Sequence, residues 1–151
     1  MKNIITLIII GLATIANAQN NQLSLENGKY LDVNGNLYSG VYEQLSNGVK
    51  TAELNVENGV LSGPAVYFQL NGNVKETGSF SNGLRSGNWT HYNKDGKKVS
   101  EASFLNDKKH GKWMVWDDLG NKRFEMYYNE GVKVGTWKMW DDKGNLTTKE
   151  Y

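Results

Sequence analysis

The 151-residue chain has no cysteine, a single proline (Pro64) and only two histidines, His91 and His110. Without cysteine there is no disulfide framework and no thiol to hold zinc or carry a lipid, so stability has to come from packing. Two histidines are too few for a clustered metal site, and no repeated column supplies the remaining members of a Ser-His-Asp arrangement. A charge excess is also missing: 17 Lys and Arg face 16 Asp and Glu. A phosphate-binding surface needs a basic surplus, and so does electrostatic docking on anionic lipid. Nucleic acid is therefore not an expected partner. Neither a catalytic residue, a resident metal nor a cofactor is expected.

Long hydrophobic runs are absent except at the start. Lys2 precedes an almost wholly apolar stretch from Ile4 to Ile10 that continues through Gly11, Leu12 and Ala13. Ala16-Asn17-Ala18 then satisfies the small-x-small rule for signal peptidase. The run is shorter than the roughly 20 residues that span a bilayer. The pattern predicts a signal peptide at 1–18, cleavage before Gln19, and a soluble product in the periplasm or outside the cell. With no transmembrane segment after cleavage, the removal of Lys2 leaves basic and acidic residues equal in number.

Glycine is what the chain has in quantity, with 17 copies, and they are periodic. Gly63, Gly87, Gly111 and Gly135 recur at one constant interval, and the step from Gly40 to Gly63 is a single residue shorter. The interval defines a repeat of about 24 residues, in the range typical of repeat architectures. A second series follows at Gly72, Gly96, Gly120 and Gly144, with Gly48 matching it in the shortened first unit. Tyr42, Ala65, Trp89, Trp113 and Trp137 stand two positions after the first glycine, and Leu45, Phe68, Tyr92, Trp116 and Trp140 five after it. Val56, Phe80, Phe104 and Tyr128 form a third column, and Glu53, Glu101 and Glu125 a fourth that Thr77 and Lys149 interrupt. Gly59, Gly83 and Gly131 close the units, with Asp107 in that place once.

Each unit reads as a β-hairpin. Trp113 to Trp116 is rich in strand-favouring types, Asp117 to Asn121 is turn chemistry, and Lys122 to Tyr128 returns with Phe124, Met126 and Tyr128 facing one way. Turn signals recur at intervals of about 8–12 residues and leave no room for a helix. A lone hairpin is marginal in water, so the units must stack. The expected fold is all-β: one elongated antiparallel meander of hairpin repeats over 40–151, with an N-terminal cap at 19–39. A buried Trp hides about 150–250 Å², or about 4–6 kcal/mol of gross stabilisation, so the aromatic columns are the chief candidates for holding the stack. Residues three apart on a regular strand face opposite ways, so Trp113 and Trp116 occupy opposite faces unless a bulge intervenes.

Gly87-Asn88-Trp89-Thr90-His91-Tyr92-Asn93-Lys94-Asp95-Gly96 and Gly111-Lys112-Trp113-Met114-Val115-Trp116-Asp117-Asp118-Leu119-Gly120 resemble the bacterial variant of the MORN repeat, G-x-W-x-x-[WY]-x-x-x-G. The resemblance covers about Gly28 to Tyr151. Exported proteins of this kind are often labelled as the YwqK family of antitoxins. The resemblance implies a hairpin array without catalytic residues. It says little about toxin neutralisation, because a cleaved signal would carry the chain away from any cytoplasmic toxin. Pro64-Ala65 departs from the pattern and would interrupt any continuous aromatic groove.

The expected function is a protein-interaction or structural module of the cell envelope with a protein partner. The alternative is a carbohydrate-binding module for envelope polysaccharide. In either case the candidate contact residues are Trp89, Tyr92, Trp113, Trp116, Trp137 and Trp140, with inter-repeat packing as the competing role. The Asp117-Asp118 and Asp141-Asp142 pairs raise calcium binding, but Asp at that turn position more often caps its own turn, and an EF-hand loop needs more oxygens.

Overall fold

A computed structural model describes residues 5–10 and 20–151, with side chains from Leu23 onward. The expected cleavage motif Ala16-Asn17-Ala18 lies outside the described residues. Within the expected signal segment, only the backbone of β1 (Ile5–Ile10) is described, and it pairs antiparallel with β2 (Asn20–Glu26). A short β3 (Lys29–Leu31) completes this three-stranded sheet.

The rest is a second sheet of 11 strands. Its strands are β4 (Gly40–Ser46), β5 (Val49–Glu57), β6 (Val60–Phe68), β7 (Val74–Ser81), β8 (Leu84–Tyr92), β9 (Lys98–Leu105) and β10 (Lys108–Trp116). They continue as β11 (Lys122–Asn129), β12 (Val132–Lys133), β13 (Thr136–Trp140) and β14 (Leu146–Glu150). Each strand pairs antiparallel with the one before and after it, β12 being a short side pairing on β11. The fold is all-β, an open antiparallel meander of hairpins that does not close into a barrel. At about 4.8 Å between neighbours, ten strands in line extend about 43 Å.

The first hairpin, β4–β5, closes on the tight turn Asn47-Gly48, and from β5 onward two kinds of turn alternate. The tight one places Asn58-Gly59, Asn82-Gly83, Asn106-Asp107 and Glu130-Gly131 at positive φ in both positions. That is the type I′ geometry whose twist suits a two-residue hairpin, and it explains the Asn-Gly preference. The wider loop is built on Gln69, Asn93, Asp117 and Asp141, which occupy the same place in successive units. The carbonyl of Asp117 accepts the Gly120 amide, and its Oδ1 accepts the amides of Leu119 and Asn121 at 3.0 and 2.8 Å. Asp141 repeats the pattern on Lys143 and Asn145.

The first glycine series is not in the turns. Gly63, Gly87 and Gly111 lie within β6, β8 and β10 at φ of 93°, 72° and 80°. They sit where the register slips by two residues, as between Phe104↔Lys109 and Ala102↔Trp113. His110 is in the same irregularity inside β10, because the strand runs on through Gly111.

A second, one-residue bulge recurs on the returning strand. Gln44↔Ala52 is followed by Leu45↔Lys50, leaving Thr51 unpaired. Lys75, Val99 and Arg123 are skipped in the same way, at the same place in the next three units, whereas the last hairpin, β13–β14, keeps an unbroken register. Because the extra residue is on the partner strand, Trp113 to Trp116 stays regular and its two tryptophans face opposite ways. The bulge instead turns the side chain at 98 to the same face as that at 101.

The sheet therefore has two unlike faces. One carries the core: Tyr42, Ala52, Leu54, Val56, Ala65 and Trp89 are buried, and Leu23 and Tyr30 of the N-terminal hairpin pack on it. Burial pushes the Tyr42 hydroxyl up to about 12. The opposite face carries lysines, glutamates and the second aromatic column.

Candidate functional site

The six aromatic candidates do not share one surface. Trp89, Trp113 and Trp137 lie on the core face; Tyr92, Trp116 and Trp140 lie on the other.

On the core face the indoles are committed to the fold. Trp89 is 2% exposed and Trp137 7%. Their Nε1 groups and that of Trp113 donate to the carbonyls of Ser79, Tyr127 and Ser103, at 3.2, 3.1 and 3.1 Å. These acceptors recur once per unit, beside the strand irregularity that disrupts the regular ladder. The rings join at a tilt along the sheet: Phe104 to Trp113 at 5.5 Å, Trp113 to Tyr128 at 5.4 Å, Tyr128 to Trp137 at 5.2 Å and Trp137 to Tyr151 at 4.4 Å. Cations lie over the joints. Arg85 sits over Trp89 and Phe104, Lys109 over Trp113 and Tyr128, and Lys133 over Trp137 and Tyr151. Leu61 holds the equivalent place beside Ala65. This Leu-Arg-Lys-Lys column at 61, 85, 109 and 133 was readable at the repeat spacing, but charge alone gives no clue that a cation covers a ring.

On the opposite face the aromatic column is tied to a column of ion pairs. Lys50, Lys98 and Lys122 bond Glu53, Glu101 and Glu125 at 2.9, 3.0 and 3.0 Å. Each lysine also reaches the aromatic of the next unit: Lys50 over Phe68 at 5.2 Å, Lys98 over Trp116 at 4.4 Å and Lys122 over Trp140 at 5.5 Å. Glu125 is the most enclosed member, with Lys112 at 3.2 Å and Lys138 at 3.6 Å. Hydrogen bonds from Lys122 and then Lys112 outweigh desolvation and hold its pKa at about 2. The indoles of Trp116 and Trp140 have no hydrogen-bond acceptor among the described residues.

One rung is incomplete. The second unit has Val74 and Thr77 where the first, third and fourth have lysine and glutamate; the last has Leu146 and Lys149 there. No cation lies over Tyr92 among the described residues. The space there is a pocket of about 420 Å³ lined by Asn73, Val74, Thr77, Tyr92, Asp95 and Gly96. A wider groove of about 750 Å³ runs along the loop end of the same region, past Gln44, Tyr67, Gln69, Glu76 and His91.

The paired aspartates are occupied internally. Besides its turn bonds, Asp117 takes Arg123 at 2.7 Å, and Arg123 reaches Asp142 of the next loop at 2.8 Å. Asp141 is held below the usual carboxylate range, chiefly by bonds from the Asn145 side chain and backbone. These contacts tie successive loops together.

No family model matches the chain, and no curated protein matches it. Among solved structures, a chain of the crystal structure of the GtfA/B complex bound to UDP and GlcNAc aligns with 10% identity and a TM-score of 0.33. The alignment covers 75% of this chain and 22% of that one, so the chain spans about a fifth of its length.

Proposed function

We propose that the chain is an exported, non-enzymatic interaction module of the cell envelope, and that a protein partner docks on its ion-pair face. The observation that carries this reading is the pair of free indoles. Trp116 and Trp140 are half-buried, so each offers apolar area, and each keeps an unspent N–H donor. Amphipathic aromatics beside exposed cations are the usual anchors of protein interfaces. Size permits it: ten strands of about eight residues present a face of about 43 by 27 Å. That exceeds the roughly 800 Å² per partner of a standard complex. The likeness of the repeats to the bacterial MORN variant supports the same class, and the signal-like pattern at 1–18 supports the location.

A glycan ligand is the second reading, favoured by the regular spacing of Tyr92, Trp116 and Trp140, about 9–10 Å for every second strand. It ranks lower because a sugar stacks on an open ring face, and lysines already lie over both tryptophans.

The test is retention from envelope extract on immobilised protein. A protein retained by the native chain and lost by Trp116→Ala/Trp140→Ala, with melting temperature unchanged within a few degrees, supports the reading. Retention of nothing above background contradicts it. Shifted tryptophan fluorescence with oligosaccharides and no retained protein favours the glycan.

A further inference from the structure

The incomplete rung points to a specific occupant. Three units of the chain show what its own chemistry places over the second aromatic column: an ammonium group, seated on the ring from the preceding unit and neutralised beside it by a carboxylate. Lys50, Lys98 and Lys122 do this for Phe68, Trp116 and Trp140. The two departures come together, since Val74 replaces the lysine in the same unit in which Thr77 replaces the glutamate. The chain has lost both halves of a pair, and the result is an open ring face rather than an unpaired charge. Val74, Thr77 and Tyr92 are half-buried and line the pocket of about 420 Å³.

We infer that this pocket receives a cationic side chain, lysine or arginine, from the partner polypeptide. The inference rests on the interaction reading above and makes it specific. The ring face of Tyr92 supplies the attraction of its quadrupole for a cation. Asp95, exposed at the rim and without an ion pair among the described residues, supplies the missing carboxylate. Val74 offers an apolar wall for the methylene stem that a long cationic side chain buries as it reaches in. Flanking aromatics on either side, Phe68 and Trp116, already hold their own cations, so the free position is bounded along the sheet. An anionic group is repelled by Asp95, a purely apolar one gains nothing from it, and a neutral sugar can hydrogen-bond the carboxylate but leaves its charge uncompensated.

The chain also provides the means of testing the inference. Val74→Lys/Thr77→Glu rebuilds the internal rung and leaves net charge unchanged. The introduced ammonium then occupies the ring face, as it does three times elsewhere in the protein. The probe is the tripeptide acetyl-Gly-Arg-Gly-amide, titrated into isotopically labelled protein while backbone amide resonances are followed. The expected result is saturable shifts at residues 74, 77 and 96. Affinity should fall at least fivefold in both Val74→Lys/Thr77→Glu and Asp95→Asn. Melting should show the rebuilt variant at least as stable as the native chain, which separates occupation from misfolding. Acetyl-Gly-Leu-Gly-amide and diacetylchitobiose are the controls and should leave those resonances unmoved. Absence of saturable shifts with the arginine peptide, equal shifts with the leucine peptide or the sugar, or undiminished affinity in the rebuilt variant would each overturn the inference. An envelope protein that is lost by Trp116→Ala/Trp140→Ala but retained equally by the native and rebuilt chains would refute the pocket while leaving the interaction reading intact.

Discussion

Gly78 is the position at which one added methyl group tests the packing most severely. A Cβ built there would lie 2.1 Å from Cδ2 of Trp89, 2.3 Å from Cε2 and 2.6 Å from Cε3. The obstacle is the flat of an indole that is 2% exposed, bonded to Ser79 and covered by Arg85. Gly78 is not at positive φ, so the whole cost is steric. An upper bound is loss of the ring's packing, about 3–5 kcal/mol for Trp→Ala in a core. The next unit shows how far relaxation reduces it. Ala102 is the equivalent residue there, and Trp113 beside it keeps its bond to Ser103 but is less buried than Trp89. The indole can therefore slide rather than leave, and Gly78→Ala should cost about 1–3 kcal/mol, the range for overpacking. For a chain of this size that lowers Tm by about 4 °C per kcal/mol. Urea denaturation of Gly78→Ala, Trp89→Ala and the double variant supplies the cycle. In the Trp89→Ala background the methyl group meets nothing, and alanine should be neutral or stabilise by up to about 1 kcal/mol, since glycine loses more backbone freedom on folding. Equal destabilisation in both backgrounds would refute the reasoning, and so would a stabilised single variant.

Further perturbations address the other contacts. Glu125→Gln removes a carboxylate held at about 2 by hydrogen bonds from Lys122 and Lys112, with Lys138 a further contact at 3.6 Å. Its depressed pKa means that its contribution is present above the unfolded value near 4.5 and lost as pH falls through about 2. The native chain should therefore lose stability across that window more steeply than the variant, which should already be about 1–3 kcal/mol less stable at pH 7; parallel pH profiles in urea would contradict this. Asp117→Ala deletes two turn bonds and the Arg123 contact and should cost about 1–2 kcal/mol, as for loss of a helix cap, whereas Asp142→Ala, with a side chain 97% exposed, should cost less than about 0.5 kcal/mol. Because the Asp117 oxygens are already occupied, millimolar Ca²⁺ should leave Tm unmoved, and a rise would revive the calcium reading.

The hairpin period, the turn glycines and the aromatic columns were legible because each depends on local chemistry: positive φ at Asn-Gly, side-chain caps at Asp, β-branched and aromatic strands. The division of the six aromatic candidates between two faces was half legible. Period-2 alternation separates Trp113 from Trp116, but a bulge could have reversed it, and bulges leave no reliable mark in composition. Here the bulges fall at Thr51, Lys75, Val99 and Arg123, two β-branched and two cationic residues with no single property shared by all four. They were invisible for that reason, and with them the pairing of Lys98 to Glu101 on one face. The first glycine series was visible, but its place inside strands was not, because a glycine at positive φ serves a bulge as well as a turn. The cation lids at Arg85, Lys109 and Lys133 depend on neighbours distant in sequence and became readable only with the strand register in hand.

The central claim is that the tryptophans divide between a structural face and an accessible one, in phase with the repeat. Hydrogen exchange at the five indole N–H groups, resolved by NMR, tests it most directly. Trp89, Trp113 and Trp137 donate to part-buried main-chain carbonyls and should exchange slowly, whereas Trp116 and Trp140 should exchange at close to the rate of a free indole. Five similar rates, or protection at Trp116 and Trp140 in the isolated chain, would contradict the account.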